Sequence, residues 1–333
     1  MGRLSKYDYC AVSTRVRLAR NLADFPFDYT MEQNGAIIDL VTRTLKPLGD
    51  FNLIRIRELE GAQADYLKEK YIVSPLLSKN KLTGAVVVSL DETVSIMINE
   101  EDHLREQCVL EGLCPEQAYE NLRYLDRKLS ERMRFAYDRD FGYVTACMTN
   151  LGTGMRASVM LFLPALTETG RIDELIAEMK SLGLTVRGAF GEGSRPEGCL
   201  YQVSNEVTLG YSEAEILKMV SFAAKKLCDI ELSLREELIS AQPLETEDAC
   251  RRAYGILTNC RILGYAEFAE LFVKVGLGAY YGFFDISPVR LNKLFVNMRP
   301  AILTYVEGCE TDTERDALRA EIVSSVLCGS SCR

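Results

Sequence analysis

The residues in this chain best suited to chemistry are two adjacent carboxylates, Glu100 and Glu101, in the run Asn99-Glu100-Glu101-Asp102-His103. Successive side chains at a strand end point to opposite sides, so one can orient a substrate while the other accepts a proton. Adjacent carboxylates suit a guanidinium, a planar fork of donors that must be held and relieved of a proton before its nitrogen attacks phosphorus. On spacing alone the same run also reads as a solvated acidic turn capping a helix C-terminal to it. Cys147 closes another strand-like run beside a Gly-rich loop. Nearby arginines would favour its thiolate, and its plainer reading is a small core residue.

Arginines occupy the most loop-like places: Ser13-Thr14-Arg15-Val16-Arg17, Arg105 after the acidic run, Arg156 after Gly152-Thr153-Gly154, and Arg187 before Gly188-Ala189-Phe190-Gly191-Glu192-Gly193. Guanidinium forks grip phosphate oxygens in pairs and stay charged at any working pH. A cage of them around a triphosphate and its magnesium would stabilise the charge spread over the transferring group, and the glycines let backbone amides approach. Arg15 and Arg17 alternate, which is also the pattern of a strand's wet face. The phosphate machinery of other classes is missing, with neither a Gly-x-x-x-x-Gly-Lys-Ser/Thr loop nor a His-Arg-Asp catalytic loop.

A formal net charge of -9 over 333 residues argues against nucleic-acid binding, which needs a basic field, and fits a basic ligand or partner. No apolar stretch nears the roughly 20 residues that span a bilayer, and the first residues lack the apolar core of a signal peptide, so the expected location is cytoplasmic. The eleven cysteines have no regular spacing and read as reduced thiols. With one histidine and no Cys-x-x-Cys pair, no metal site is expected.

These residues need elements to position them. Alternating β-rich runs over 85–90 and 94–99 predict a hairpin whose second strand delivers the acidic run. Apolar residues at intervals of three and four predict a helix over 115–137, then a strand over 143–146 and the loop 149–154. A helix over 172–182 ends at Gly183, with strands over 184–187 and 200–204 flanking the Gly-rich loop. Strand signals then fade, and 213–227, 245–259, 266–275 and 288–296 read as helices. The expectation is an α+β fold with a largely antiparallel sheet flanked by helices, spanning residues 1–240, and an all-helical domain over 241–333.

Four segments in order, 13–20 (STRVRLAR), 99–105 (NEEDHLR), 147–157 (CMTNLGTGMRA) and 187–188 (RG), resemble the ATP:guanido phosphotransferases, or phosphagen kinases. Within that superfamily the chain resembles the bacterial protein-arginine kinases rather than the metabolite enzymes, which carry a helical domain before the first arginine motif; here twelve residues precede Ser13. Two more segments fit that branch: Gly191-Glu192-Gly193-Ser194, and Arg315-Asp316-Ala317-Leu318-Arg319-Ala320, which resembles its allosteric phosphoarginine-binding motif. By spacing alone this last run is an ordinary helical turn with Asp316 and Arg319 paired at the surface.

The resemblance implies a phosphagen-kinase-like catalytic fold and transfer of the γ-phosphoryl group of ATP, with Mg2+, to arginine side chains of proteins. It implies nucleotide contacts from Ser13, Thr14, Arg15, Val16, Arg17, Tyr71, Arg105, Arg156, Ala157, Ser158, Val159, Met160, Arg187, Gly188, Ala189, Phe190, Gly191 and Glu192. Glu101 would be the base, Cys147 would lie near the guanidinium, Glu100 and Glu192 would help hold the substrate, and Arg315, Asp316, Arg319 and Ala320 would bind phosphoarginine. Met148 stands where the family usually has proline, and Tyr71 where a nucleotide-contacting histidine is common; tyrosine can still stack on adenine. His103, beside the carboxylates, is expected to orient by hydrogen bonding. The resemblance further implies a homodimer, a zinc-containing activator (McsA), a ClpC-type unfoldase that receives the marked proteins, and a role in stress response. The alternatives are a kinase of free arginine or another small guanidino compound, and an inactive phosphoarginine-binding adaptor.

Overall fold

The alternation at Arg15 and Arg17 belongs to β1 (Ala11–Arg20), a long strand inside an eight-stranded sheet. The computed structural model describes residues 5–27, 31–188 and 197–329. The sheet also contains β2 (Phe51–Arg55), β3 (Ala85–Ser89), β4 (Val94–Ile98) and β5 (Leu104–Glu111). A two-residue pair, β6 (Tyr137–Asp138) and β7 (Gly142–Tyr143), stands apart, and β8 (Met155–Phe162), β9 (Leu184–Gly188) and β10 (Leu200–Asn205) complete the main sheet. Its order is β2-β3-β4-β5-β1-β8-β10-β9, and every neighbouring pair is antiparallel.

The register sorts the side chains into two faces, because residues directly opposite in a ladder point the same way. Arg17 lies opposite Gln107 on β5 and Arg156 on β8, and Arg15 lies opposite Val109 and Ser158. The other face carries Val16, Leu18, Cys108, Ala157, Val159, Val186 and Val203, all buried. Against it pack α3 (Pro115–Ser130) and α6 (Glu213–Ala241). Toward β2–β4 that face is closed by α1 (Met31–Leu45).

Among the described residues, the arginine face is covered by apolar clusters at its two ends. At one end Val86, Val88 and Met97 meet Ile56, Leu67, Ile72, Val73 and Leu77, contributed by α2 (Gln63–Glu69) and its flanking loops. At the other, Met160, Phe162 and Leu200 meet the C-terminal helices α7 (Pro243–Asn259), α8 (Tyr265–Tyr280), α9 (Pro288–Asn297) and α11 (Asp312–Cys328). The short α10 (Pro300–Glu307) reaches from this helical region to α2. Between the two apolar clusters the charged middle of the face stays open.

Several expectations need correction. The acidic run leads into the strand β5 rather than a helix, so the carboxylates cap nothing. The helix from Pro115 stops at Ser130, although Met133 keeps its apolar phase and is buried. The chain there is drawn out to pair with the end of β1, Ala136 N donating to Asn21 O at 2.8 Å and Phe135 bridging Leu22. The strand expected over 143–146 shrinks to β7, because Ala146 N donates to the Asp102 carboxylate at 2.7 Å instead of to a neighbouring strand. The helix expected over 213–227 runs on to Ala241. Among the described residues no helix is long and apolar enough to cross a membrane.

That extension of α6 was hidden by buried charge. Glu231 and Arg235 interrupt the apolar pattern, yet both side chains are fully buried and joined at 2.7 Å. Glu231 accepts from Ala165 N and Leu166 N, the first turn of α4 (Pro164–Glu168), while Arg235 donates to the carbonyls of Tyr9 and Phe162. Removing one partner leaves an uncompensated buried charge, which costs about 3–5 kcal/mol. Glu231→Ala should therefore lower the unfolding free energy by about that amount, read from urea denaturation; a loss below about 1 kcal/mol would show that water already reaches the pair.

Candidate active site

β1, β5, β8 and β9 bring Arg15, Arg17, Arg105, Arg156 and Arg187 to one face. Arg15 and Arg17 have no salt-bridge partner among the described residues, and the Nε donors of Arg15, Arg17 and Arg156 have no hydrogen-bond acceptor there. Burial, then repulsion from Arg105 and Arg156, pushes Arg15 down to about 10. Arg17 is held well below the usual arginine range by burial and by Arg15, Arg105 and Arg156, against a smaller opposing pull from Glu100. Burial and the charges of Arg187 and Arg105 lower Arg156 as well. Like charges opposite one another in a sheet destabilise it, so this arrangement calls for an anion. Arg15, Arg17, Arg105, Tyr71 and Gln107 line one wall of a cleft of about 850 Å³ whose other wall includes Arg299, Thr304 and Arg315.

The remaining expected nucleotide contacts divide by strand alternation. Ser13, Ser158 and Met160 share the arginine face and border a small cavity beneath Tyr71. Thr14, Val16, Ala157 and Val159 point into the core behind it and are buried, so their side chains support the strands rather than touch a ligand. Gly188 ends β9 beside Arg187; Ala189, Phe190, Gly191 and Glu192 lie outside the described residues.

The acidic turn separates its two carboxylates. Asn99 adopts a left-handed φ of 60°, which asparagine tolerates better than most residues, and is fixed by Thr83 O, Asn80 and the backbone of His103. Glu100 then tucks inward: its side chain is 2% exposed and both oxygens accept from Arg105 Nη1, at 2.6 and 2.9 Å. Burial raises this carboxyl, but the Arg105 charge and hydrogen bonds from Arg105 and Ser74 prevail and hold it below the usual carboxylate range. Glu101 is exposed at the tip.

Two neighbours tie this turn to the rest of the site: Asp102, which sequence reasoning passed over, and His103. Asp102 is buried and accepts from Asn21 Nδ2 at 2.6 Å and Ala146 N at 2.7 Å, binding the turn to the end of β1 and to the residue before Cys147. Its place beside the two glutamates was the available signal. His103 accepts from Leu22 N at Nδ1 and donates from Nε2 to Pro26 O, both ring nitrogens being used in structure. Burial lowers its pKa, outweighing Pro26 O and Asp102. This agrees with an orienting rather than a titrating role.

The loop after Cys147 depends on glycine. A Cβ on Gly152 would lie 2.8 Å from Thr208 O, and one on Gly154 would lie 2.6 Å from Ala19 O, both at positive φ. Thr208 Oγ1 donates to Leu151 O at 2.6 Å, and Arg20 donates to Thr153 O at 3.0 Å while paired with Asp126 at 2.8 Å. Arg20, the last arginine of the 13–20 motif, thus holds the loop and faces away from the cleft. The Cys147 thiol is partly exposed, 3.0 Å from Thr149 Oγ1, and Met148 beside it is open to solvent.

In the 315–320 segment, Asp316 and Arg319 do pair, but not at the surface: Arg319 is 1% exposed and also donates to Met298 O and Leu263 O, stapling α11 to the end of α9 and to the loop that leads into α8. Ala320 is buried in the same core. Arg315 pairs with Asp312, donates to Thr304 at 3.2 Å, and faces the cleft.

A profile of the ATP:guanido phosphotransferase C-terminal catalytic domain matches residues 35–234, and one of the protein-arginine kinase McsB C-terminal domain matches residues 243–331. The chain is 40% identical over 333 residues to a protein-arginine kinase of Caldanaerobacter subterraneus subsp. tengcongensis, covering 97% of this chain and 98% of that protein. It is 40% identical to one of Moorella thermoacetica, covering 96% and 94%, and 39% identical to one of Geobacillus stearothermophilus, covering 95% and 90%. In fold it is similar to lombricine kinase, with TM-score 0.63 and 22% identity over 71% of this chain and 69% of the other.

Two measurements check this site. Arg17→Met should raise the thermal midpoint of the ligand-free protein, by removing one charge of an uncompensated set, while weakening ATP binding about tenfold or more, the worth of one charged hydrogen bond; the two effects have opposite signs in thermal shift and calorimetry. His103, the single histidine, should titrate by NMR below the reference value of about 6.5. Because folding depresses this base, stability is retained above that value and declines as pH falls through it, and His103→Gln should remove that slope.

Proposed function

Since this chain belongs to the protein-arginine kinase family of the ATP:guanido phosphotransferases, we propose that its open arginine face holds the triphosphate of ATP and that the acidic turn receives the arginine side chain. The chain transfers the γ-phosphoryl group of ATP to arginine side chains of proteins. The observation that carries the site reading is the set of Arg15, Arg17 and Arg156, with Nε donors left without acceptors among the described residues. A triphosphate supplies both the acceptors and the countercharge, and holding it in line is most of what phosphoryl transfer requires.

In this reading Arg15, Arg17, Arg105 and Arg156 bind phosphate oxygens and stabilise the charge spread over the transferring group. A terminal nitrogen of the substrate guanidinium forms the new bond to the γ-phosphorus. The bond from that phosphorus to the oxygen bridging the β-phosphate breaks, and ADP leaves with its electron pair. Glu101, exposed at the tip of the turn, takes the proton from the attacking nitrogen. Glu100 acts first through Arg105, whose guanidinium it grips with both oxygens. Cys147 and Glu192 complete the acceptor side.

Magnesium bound to the triphosphate would screen its charge. Among the described residues no three His, Cys, Asp or Glu side chains converge on one point, and the sheet wall of the cleft presents Arg15, Arg17 and Arg105, so the nucleotide's own oxygens would carry the ion. On the same family basis we propose a division at residue 240/241, phosphoarginine binding at Arg315, Asp316, Arg319 and Ala320, a homodimer, activation by McsA, and delivery of marked proteins to a ClpC-type unfoldase.

With ATP, magnesium and an arginine-rich protein, the wild type should yield acid-labile phosphate on arginine by mass spectrometry, far faster than on free arginine. Glu101→Gln should lower kcat by about 100- to 10,000-fold, the usual worth of a positioned base, and leave ATP affinity unchanged. Full activity in that variant would overturn the assignment of the base.

A further inference from the structure

The cleft has one wall that does not come from the sheet. Arg299, the residue before α10, is 3% exposed and reaches out of the helical region into the catalytic fold. It donates to Glu69 O at 2.6 Å and to the Tyr71 hydroxyl at 2.9 Å, and its guanidinium lies 4.9 Å from the centre of the Tyr71 ring. The contact is reciprocal: the Glu69 carboxylate accepts from Ile302 N, 3.1 Å away in the first turn of α10. α10 and α2 are thereby locked end to end.

Tyr71 is a residue that needs such a clamp. Its φ of 59° is left-handed, a conformation an aromatic L-residue enters only when its surroundings over-determine it. Its carbonyl accepts from Gln107 Nε2 on β5, beside the arginine row, and its hydroxyl accepts from Arg299. The ring is left between two cations, with the Arg15 guanidinium 5.8 Å from its centre. Gln107 anchors the backbone to the sheet, and Arg299 holds the hydroxyl at the tip of the ring.

We propose that Arg299 is a positioning residue for the nucleotide: it holds the Tyr71 ring, and so sets the affinity of the cleft for the nucleoside end of ATP without touching the transferring phosphate. The helical region then builds part of the nucleotide site instead of merely adjoining it. This rests on reading the cleft as the ATP site, and the experiment separates the two ideas by using inorganic tripolyphosphate, which engages the arginines but has no nucleoside.

ATP and tripolyphosphate are titrated by calorimetry into wild type, Arg299→Met, Arg299→Lys and Tyr71→Phe, with steady-state kinetics in parallel. Wild type should bind both probes. Arg299→Met should weaken ATP about tenfold, the worth of one charged hydrogen bond, raise KM for ATP more than it lowers kcat, and leave tripolyphosphate affinity unchanged. Arg299→Lys should recover part of the loss, and Tyr71→Phe, which keeps the ring and removes only the hydroxyl bond, should show a smaller loss of the same kind. Should Arg299→Met fail to fold, Tyr71→Phe alone decides. Equal weakening of both probes, or unchanged ATP affinity in Tyr71→Phe and Arg299→Met, would overturn the proposal. Failure of wild type to bind tripolyphosphate would instead overturn the cleft itself.

Discussion

Everything in this structure is arranged around a row of guanidiniums gathered on one face of a sheet, where the Nε donors of Arg15, Arg17 and Arg156 have no acceptor among the described residues. Two such charges roughly 6 Å apart repel by about 3 kcal/mol in an effective dielectric near 20, and Arg15, Arg17 and Arg156 are depressed by burial and by one another. A sheet tolerates this only if other parts hold the strands together. The face behind the arginines supplies that support, with Val16, Leu18, Ala157, Val159 and Val203 packed under α3 and α6. Two further clusters close the ends of the arginine face and leave its middle open. Within the row, Glu100 is taken up by Arg105.

The same separation of support from chemistry shapes the acceptor side. A buried carboxylate and a buried imidazole, Asp102 and His103, bind the acidic turn to Asn21, Leu22, Pro26 and Ala146. They bring the end of β1, the turn and the Cys147 segment together, so the exposed Glu101 stands on a rigid base. Gly152 and Gly154 let the intervening loop come within contact of backbone on either side. Rigid placement matters here because the chemistry asks for alignment more than for covalent assistance.

Much of the site was legible because its chemistry is local in sequence. Arg15 and Arg17 alternate within one strand, Glu100 and Glu101 are adjacent, and the glycines flank Thr153. The hairpin β3–β4, the first half of α6 and the helices α7, α8 and α9 came from periodicity. Periodicity could not show any polar residue serving as core. Glu231 and Arg235 made the second half of α6 look wet, and Arg319 looked like half of a surface ion pair until its carbonyl partners came into view. Met133 misled in the opposite sense, staying apolar and buried after its helix had ended. Arg299 offered no signal at all, because its partners Glu69 and Tyr71 lie more than 200 positions away.

The most direct test is a structure of the protein with a non-hydrolysable ATP analogue and magnesium. The triphosphate oxygens should lie within hydrogen-bond distance of Arg15, Arg17 and Arg156, with the Glu100–Arg105 pair intact and Glu101 facing the γ-phosphate across the space for a guanidinium. A triphosphate bound elsewhere, with those three arginines turned to carboxylate partners, would contradict the central claim.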